Sequence, residues 1–182
     1  MDNTFEDAFA YESDLITNSN RCFFTGHRRI GAQVSDKLLL RLKATVSYLL
    51  SKGVTEFHTG GAVGFDTFAA MMIIDLKRYH PEIRLVLDLP YLNQSELWND
   101  KNKRLYSFIL EHADKTNYAC NKVVKDAGEV KKYLLERNRM MADSCYYCVA
   151  YFSGAHGGTD YTVSYAKKAG CEIINLYYDV SF

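Results

Sequence analysis

The chain has 182 residues, 48% of them apolar, which is enough to build one core without disulfides or a structural metal. Lys plus Arg and Asp plus Glu number 22 each, for a formal net charge of 0, so no global field gathers nucleic acid or an anionic membrane and any anion must be held locally. No stretch approaches the roughly 20 apolar residues that span a bilayer and no basic start precedes an apolar run. A cytoplasmic protein with no membrane partner is the expectation, nucleic acid is an unlikely partner, and self-association is left open.

Residues 1–20 carry Asp2, Glu6, Asp7, Glu12 and Asp14 with no basic residue and no sustained period. They read as an acidic arm ahead of a single domain over 21–182. From Arg21 short apolar runs alternate with helical periods, the pattern of a mainly parallel sheet covered by helices on both faces, a doubly wound, Rossmann-like α/β fold. Strands are predicted over 21–25, 54–59, 83–89, 116–120, 146–152 and 172–177, and helices over 35–51, 64–79, 98–113, 127–141 and 159–169. Ser35 is of the right type to cap the first helix, Gly53 and Gly170 are placed to end helices, and Pro90 stops the third strand.

In such sheets ligands bind beyond the carboxyl ends of the strands, so the segments that follow them converge on one crevice. Thr25-Gly26-His27-Arg28 brings a hydroxyl, a flexible backbone, an imidazole and a guanidinium there. Gly60-Gly61-Ala62-Val63-Gly64-Phe65-Asp66 joins a strand to a helix as a glycine-rich turn suited to phosphate, although it matches neither the Walker pattern nor the dinucleotide fingerprint. Asp66 repels a phosphate at that helix start; it can cap the helix or accept hydrogen bonds from a ribose or base, and both readings stand. After the third strand come Pro90 and Tyr91, the latter placed to stack on a base.

Arg137 and Asn138, near a helix end, are either solvated or turned inward to pair an anion and read a base edge or ribose. A second glycine cluster, Gly157-Gly158-Thr159, opens the last helix, with Thr159 and Thr162 on one face of its first turn. The odd count of five cysteines points to reduced thiols. Cys145-Tyr146-Tyr147-Cys148 has redox-motif spacing but runs into an apolar strand instead of a helix start, and no second Cys or His pair completes a zinc site. No metal and no cofactor is expected.

Taken together, Thr25-Gly26-His27-Arg28, Gly60-Gly61-Ala62-x-Gly64-x-Asp66, Pro90-Tyr91, Arg137-Asn138-x-x-Met141-x-Asp143 and Gly157-Gly158-Thr159-x-x-Thr162-x-x-Tyr165-Ala166 resemble the YpsA-like family of the SLOG superfamily, named for Smf/DprA and the LOG proteins. The similarity runs in order from about residue 21 to 177. It implies a Rossmann-like domain with a crevice for a nucleotide or an ADP-ribose-like molecule. The superfamily holds binding and sensing modules, single-stranded DNA binders and phosphoribohydrolases that release a base from a nucleoside monophosphate. The LOG hydrolases place a glutamate where this chain has Thr162, which disfavours hydrolysis because a threonine supplies no carboxylate. Asp66 and Asp160, with His27 assisting, are the remaining catalytic candidates. The expectation is a module that binds or senses a nucleotide-derived ligand; the alternatives are an N-glycosidic or phosphoribosyl hydrolase and a single-stranded DNA binder.

Overall fold

The computed structural model describes residues 18–180, and of these the side chains of 179 and 180 are left aside. The acidic stretch predicted over 1–20 therefore lies almost wholly outside the described residues. Six parallel strands form one sheet: β1 (Arg21–Gly26), β2 (Glu56–Thr59), β3 (Arg84–Leu89), β4 (Lys115–Tyr118), β5 (Tyr147–Tyr151) and β6 (Glu172–Asn175). The helices are α1 (Ala32–Ser51), α2 (Phe65–Leu76), α3 (Asp100–His112), α4 (Ala127–Ser144), α5 (Gly158–Lys168) and a last turn, α6 (Tyr177–Val180). The strand order β4-β3-β2-β1-β5-β6 reverses direction at the β1/β5 pair, the place where a doubly wound sheet opens its crevice.

Alternation along the buried strands sorts the side chains into two cores. Phe24, Phe57, Leu85, Leu87 and Val149 face α1, α2 and α3, while Phe23, Cys148 and Ala150 face α4 and α5. On α1 the buried positions Leu38, Leu42, Val46 and Leu49 recur at helical spacing, which fixes the face that packs on the sheet. No described helix is long and apolar enough to cross a membrane.

Several predicted boundaries shift for identifiable reasons. The cap of α1 is Gly31, not Ser35; the helix starts three residues earlier than expected, and the Ser35 hydroxyl instead donates to the Ala32 carbonyl at 2.9 Å. Strand β6 ends at Asn175, whose side chain accepts from the amides of Phe152 and Tyr177, each at 3.2 Å, and donates to the Phe152 carbonyl at 2.8 Å. That clamp turns the chain into α6, where the apolar run had suggested more strand. Helix α4 continues to Ser144, past the predicted end at Met141. Gly53 and Gly170, at φ of +85° and +86°, follow the ends of α1 and α5 as expected.

All five cysteines are free. Burial pushes the Cys145 and Cys148 thiols well above their ordinary range, so the redox spacing yields no thiolate at neutral pH.

Candidate ligand-binding site

The loops after β1 and β2 are laced together beneath the crevice. The Phe65 N–H donates to the His27 carbonyl at 3.1 Å, and a Cβ on Gly64 would come within 2.5 Å of both that carbonyl and the Arg28 Cα. A Cβ on Gly26 would likewise meet the Phe65 side chain at 2.7 Å. The glycines are there so that backbone can touch backbone. Some amides of the first glycine loop are occupied: Gly61 N–H reaches the Thr59 hydroxyl at 3.5 Å and Ala62 N–H the Asp66 carboxylate at 3.3 Å, beside the Phe65 N–H already named. The loop forms one wall of the site through Ala62 and Asp66.

Over this wall lies Arg137 of α4. Its side chain is 6% exposed, and a Cβ on Gly60 would overlap its Nη1. Asp66 is the neighbouring anion, with Oδ2 3.8 Å from Nη1, close enough for Coulomb attraction but beyond a hydrogen bond. Nε and Nη1 of Arg137 have no acceptor among the described residues. Burial raises the Asp66 pKa, opposed by Arg137 and the Ala62 amide. Burial lowers that of Arg137, opposed by Asp66 and Asp88, and the guanidinium stays charged. Buried charged donors without acceptors are costly.

Arg137 borders a cavity of about 760 Å³ at the carboxyl ends of the strands. One wall is Thr25 to Arg28 with Ala62 and Asp66; the opposite wall is α4, through Lys131, Leu134, Leu135, Asn138 and Met141. The third wall is the start of α5, with Gly157, Gly158, Thr159 and Thr162. No side chain caps this helix, and Gly157 and Gly158 are exposed, with nothing within 4 Å of where a Cβ would stand. Free amides and the positive end of the helix macrodipole favour an anion there. Around the cavity stand the cations Arg28, Lys131 and Arg137 against the single carboxylate of Asp66, a local positive excess in a chain of net charge 0.

The catalytic candidates separate in space. Nε2 of His27 accepts from the Ser153 amide at 2.8 Å, so the neutral ring carries its proton on Nδ1. Burial lowers its pKa, and the ring packs among Tyr151, Phe152 and Tyr177. This histidine ties the ends of β1 and β5 together. Asp160 accepts from Nδ1 of His156 at 3.0 Å and does not border the cavity. Thr162, at the position of the LOG glutamate, is buried and donates its hydroxyl to the Gly158 carbonyl at 2.8 Å. Of the carboxylates considered, only Asp66 borders the cavity.

Pro90 and Tyr91 stand apart from it. Pro90 is buried at the end of β3, and Tyr91, only 8% exposed, borders a second cavity of about 520 Å³. Lys131, Leu134 and Leu135 were missed in the sequence, though their spacing with Asn138 marks one face of α4 that neither core consumes. Also unforeseen is His58, buried beneath α4 with Nδ1 2.6 Å from Asp88 and Nε2 2.8 Å from Glu56. Burial pulls its pKa down, yet the two carboxylates outweigh burial and raise it. His58 links the two carboxylates in a polar chain that crosses β2 and β3, outside the cavity, and is its cation when protonated.

The model of the YpsA family, described as the YspA SLOG family, matches residues 31–176. Similar proteins include the "Uncharacterized SPbeta prophage-derived protein YoqJ" of Bacillus subtilis, 29% identical over 80% of this chain and 91% of that one. Another is the "UPF0398 protein BH1768" of Halalkalibacterium halodurans, 28% identical over 66% of this chain and 62% of that one. Among solved structures, DNA processing protein A (DprA) from Streptococcus pneumoniae superposes with a TM-score of 0.61 at 17% identity, covering 84% of this chain and 48% of DprA. DprA from Helicobacter pylori, solved for its single-stranded DNA binding mode, gives a TM-score of 0.57 at 16% identity over 88% of this chain and 66% of its own. The chain thus spans about half the length of pneumococcal DprA, and at these identities the likeness is one of fold. A family match across most of the chain, on a doubly wound sheet shared with DprA, makes this protein a member of the YpsA family of SLOG proteins.

Proposed function

We propose that the chain binds a nucleotide-derived anion in the 760 Å³ cavity, with a phosphate between Arg137 and the uncapped start of α5. The observation that carries this reading is Arg137: a buried guanidinium with Nε and Nη1 lacking acceptors, beside open helix amides. A phosphate in the cavity supplies a counter-charge to this guanidinium, and charge-assisted bonds to guanidinium are among the stronger ones. Asn138 and Thr159 offer polar contacts to a ribose or base, and Leu134, Leu135 and Met141 offer an apolar surface for the base. Arg28 assists at the mouth.

Native mass spectrometry of the protein purified from cells, before and after denaturation, tests this directly. A nucleotide-like molecule released on denaturation is the expected result. An empty protein whose melting temperature is also unmoved by a panel of nucleotides and ADP-ribose derivatives would overturn the reading.

A second reading is a single strand of DNA as the source of the phosphate. It draws on the fold shared with H. pylori DprA, which has a single-stranded DNA binding mode, and on the cations gathered at the cavity. The net charge of 0 loses its force against nucleic acid here, because the relevant field is local. Salt-dependent retardation of a labelled oligonucleotide is the expected outcome of that reading, and no shift at low salt would remove it.

Hydrolysis is less well supported, since Asp66 is the only candidate carboxylate at the cavity and His27 Nε2 is occupied. If base release from a nucleoside monophosphate is nevertheless found, Asp66→Asn should abolish it.

A further inference from the structure

The second cavity, of about 520 Å³, shares Arg28, Ala62 and Leu134 with the first, so the two meet across that ridge. Its walls are the segment after β3 and the segment leading into α4, and they are stitched together without a ligand. Asn93 donates from Nδ2 to the Val124 carbonyl at 3.0 Å and accepts the Val124 amide on Oδ1 at 2.8 Å. The backbone adds Leu92 N–H to the Lys122 carbonyl at 3.1 Å and Cys120 N–H to the Pro90 carbonyl at 3.0 Å.

Trp98, Val124, Val130 and Leu134 give a largely apolar surface, extended by Leu97, which is 95% exposed at the rim. Arg28 and Lys125 bring positive charge, Glu96 one carboxylate, and Asn93 and Gln94 amide groups. An apolar slot beside cations suits a flat aromatic ring attached to a phosphate, because the ring stacks on side chains while the charge stays at the edge.

We propose that this second cavity receives an aromatic base of a ligand whose phosphate occupies the first cavity, with the linking phosphate at Arg28. The ligand then has two nucleotide units, from either a pyrophosphate-linked dinucleotide or adjacent residues of a single strand. The inference rests on the nucleotide reading above and adds the length of the ligand to it.

Trp98 is the only tryptophan of the chain and borders the second cavity but not the first, so its emission reports occupancy there. Three probes titrated against the wild-type protein decide the matter: adenosine monophosphate, a pyrophosphate-linked diadenosine and a short deoxyadenylate strand. A longer probe should bind about tenfold more tightly than the monophosphate, as one stacked base implies. It should also quench Trp98, and the probe that does so identifies the source. Leu97→Asp, at an exposed position where no core packing is lost, should erase that affinity ratio. Equal affinity for all three probes, or quenching of Trp98 by the monophosphate as strongly as by the longer ones, overturns the proposal while leaving the nucleotide reading intact. If none of the three binds, both fall together.

Discussion

Gly60 and Arg137 occupy one another's space: a Cβ on Gly60 would overlap Nη1 of the Arg137 guanidinium, which lies across the bare backbone of the loop after β2. The first glycine cluster thereby positions a cation, and the second leaves open space at the start of α5.

Gly60→Ala is therefore expected to force Arg137 out of its place and destabilise the protein by about 1–3 kcal/mol, the usual range for overpacking. Chemical denaturation would measure it. An unchanged midpoint would mean that Arg137 rotates away at little cost and is not fixed by this contact.

Gly158→Ala should behave in the opposite way. The added methyl meets no neighbour within 4 Å in a helical first turn, so stability should hold or rise by a few tenths of a kcal/mol. Affinity for a nucleoside monophosphate should nevertheless fall at least severalfold, because the methyl stands where the anion approaches the helix amides. Thermal melts paired with titration calorimetry separate the two effects, and full retention of affinity would move the anion elsewhere.

How far the sequence discloses the site follows from this pair. Both glycine clusters, the strand ends and the two-sided architecture were visible from periodicity and turn residues, and the segments after β1, β2 and β5 converge as expected while that after β3 does not. The distinct roles of the clusters were not, because a glycine required for close packing and one that leaves open space look alike until the third dimension brings Arg137 onto Gly60. Tyr91 was misplaced for a related reason: β3 lies one strand beyond the β1/β2 pair, so its trailing segment reaches the neighbouring cavity. The His58 cluster joins residues from separate strands, and no local pattern announces it.

His27 and His58 should leave opposite marks on stability against pH. The pKa of His58 is raised above the ordinary 6.5, so its contribution is complete below pH 6.5 and fades as pH rises through the folded value. The pKa of His27 is lowered, so the fold loses stability as pH drops below 6.5, where the unfolded chain takes up the proton first. His58→Gln should cost about 3 kcal/mol near pH 6, as expected when a buried ion pair loses one partner, and less toward pH 9. His27→Gln should flatten the acid side of the profile. Melting curves from pH 5 to 9 for both variants would show it, and parallel profiles would contradict the assigned charge states.

The most direct measurement is a calorimetric titration of a nucleoside monophosphate into the wild-type protein and into Arg137→Met, with circular dichroism to show that the variant is folded. The expected result is saturable binding to the wild type and a loss of at least tenfold in the variant, the scale of a charge-assisted hydrogen bond to a buried guanidinium. Equal affinity for both proteins would contradict the placement of the phosphate at Arg137.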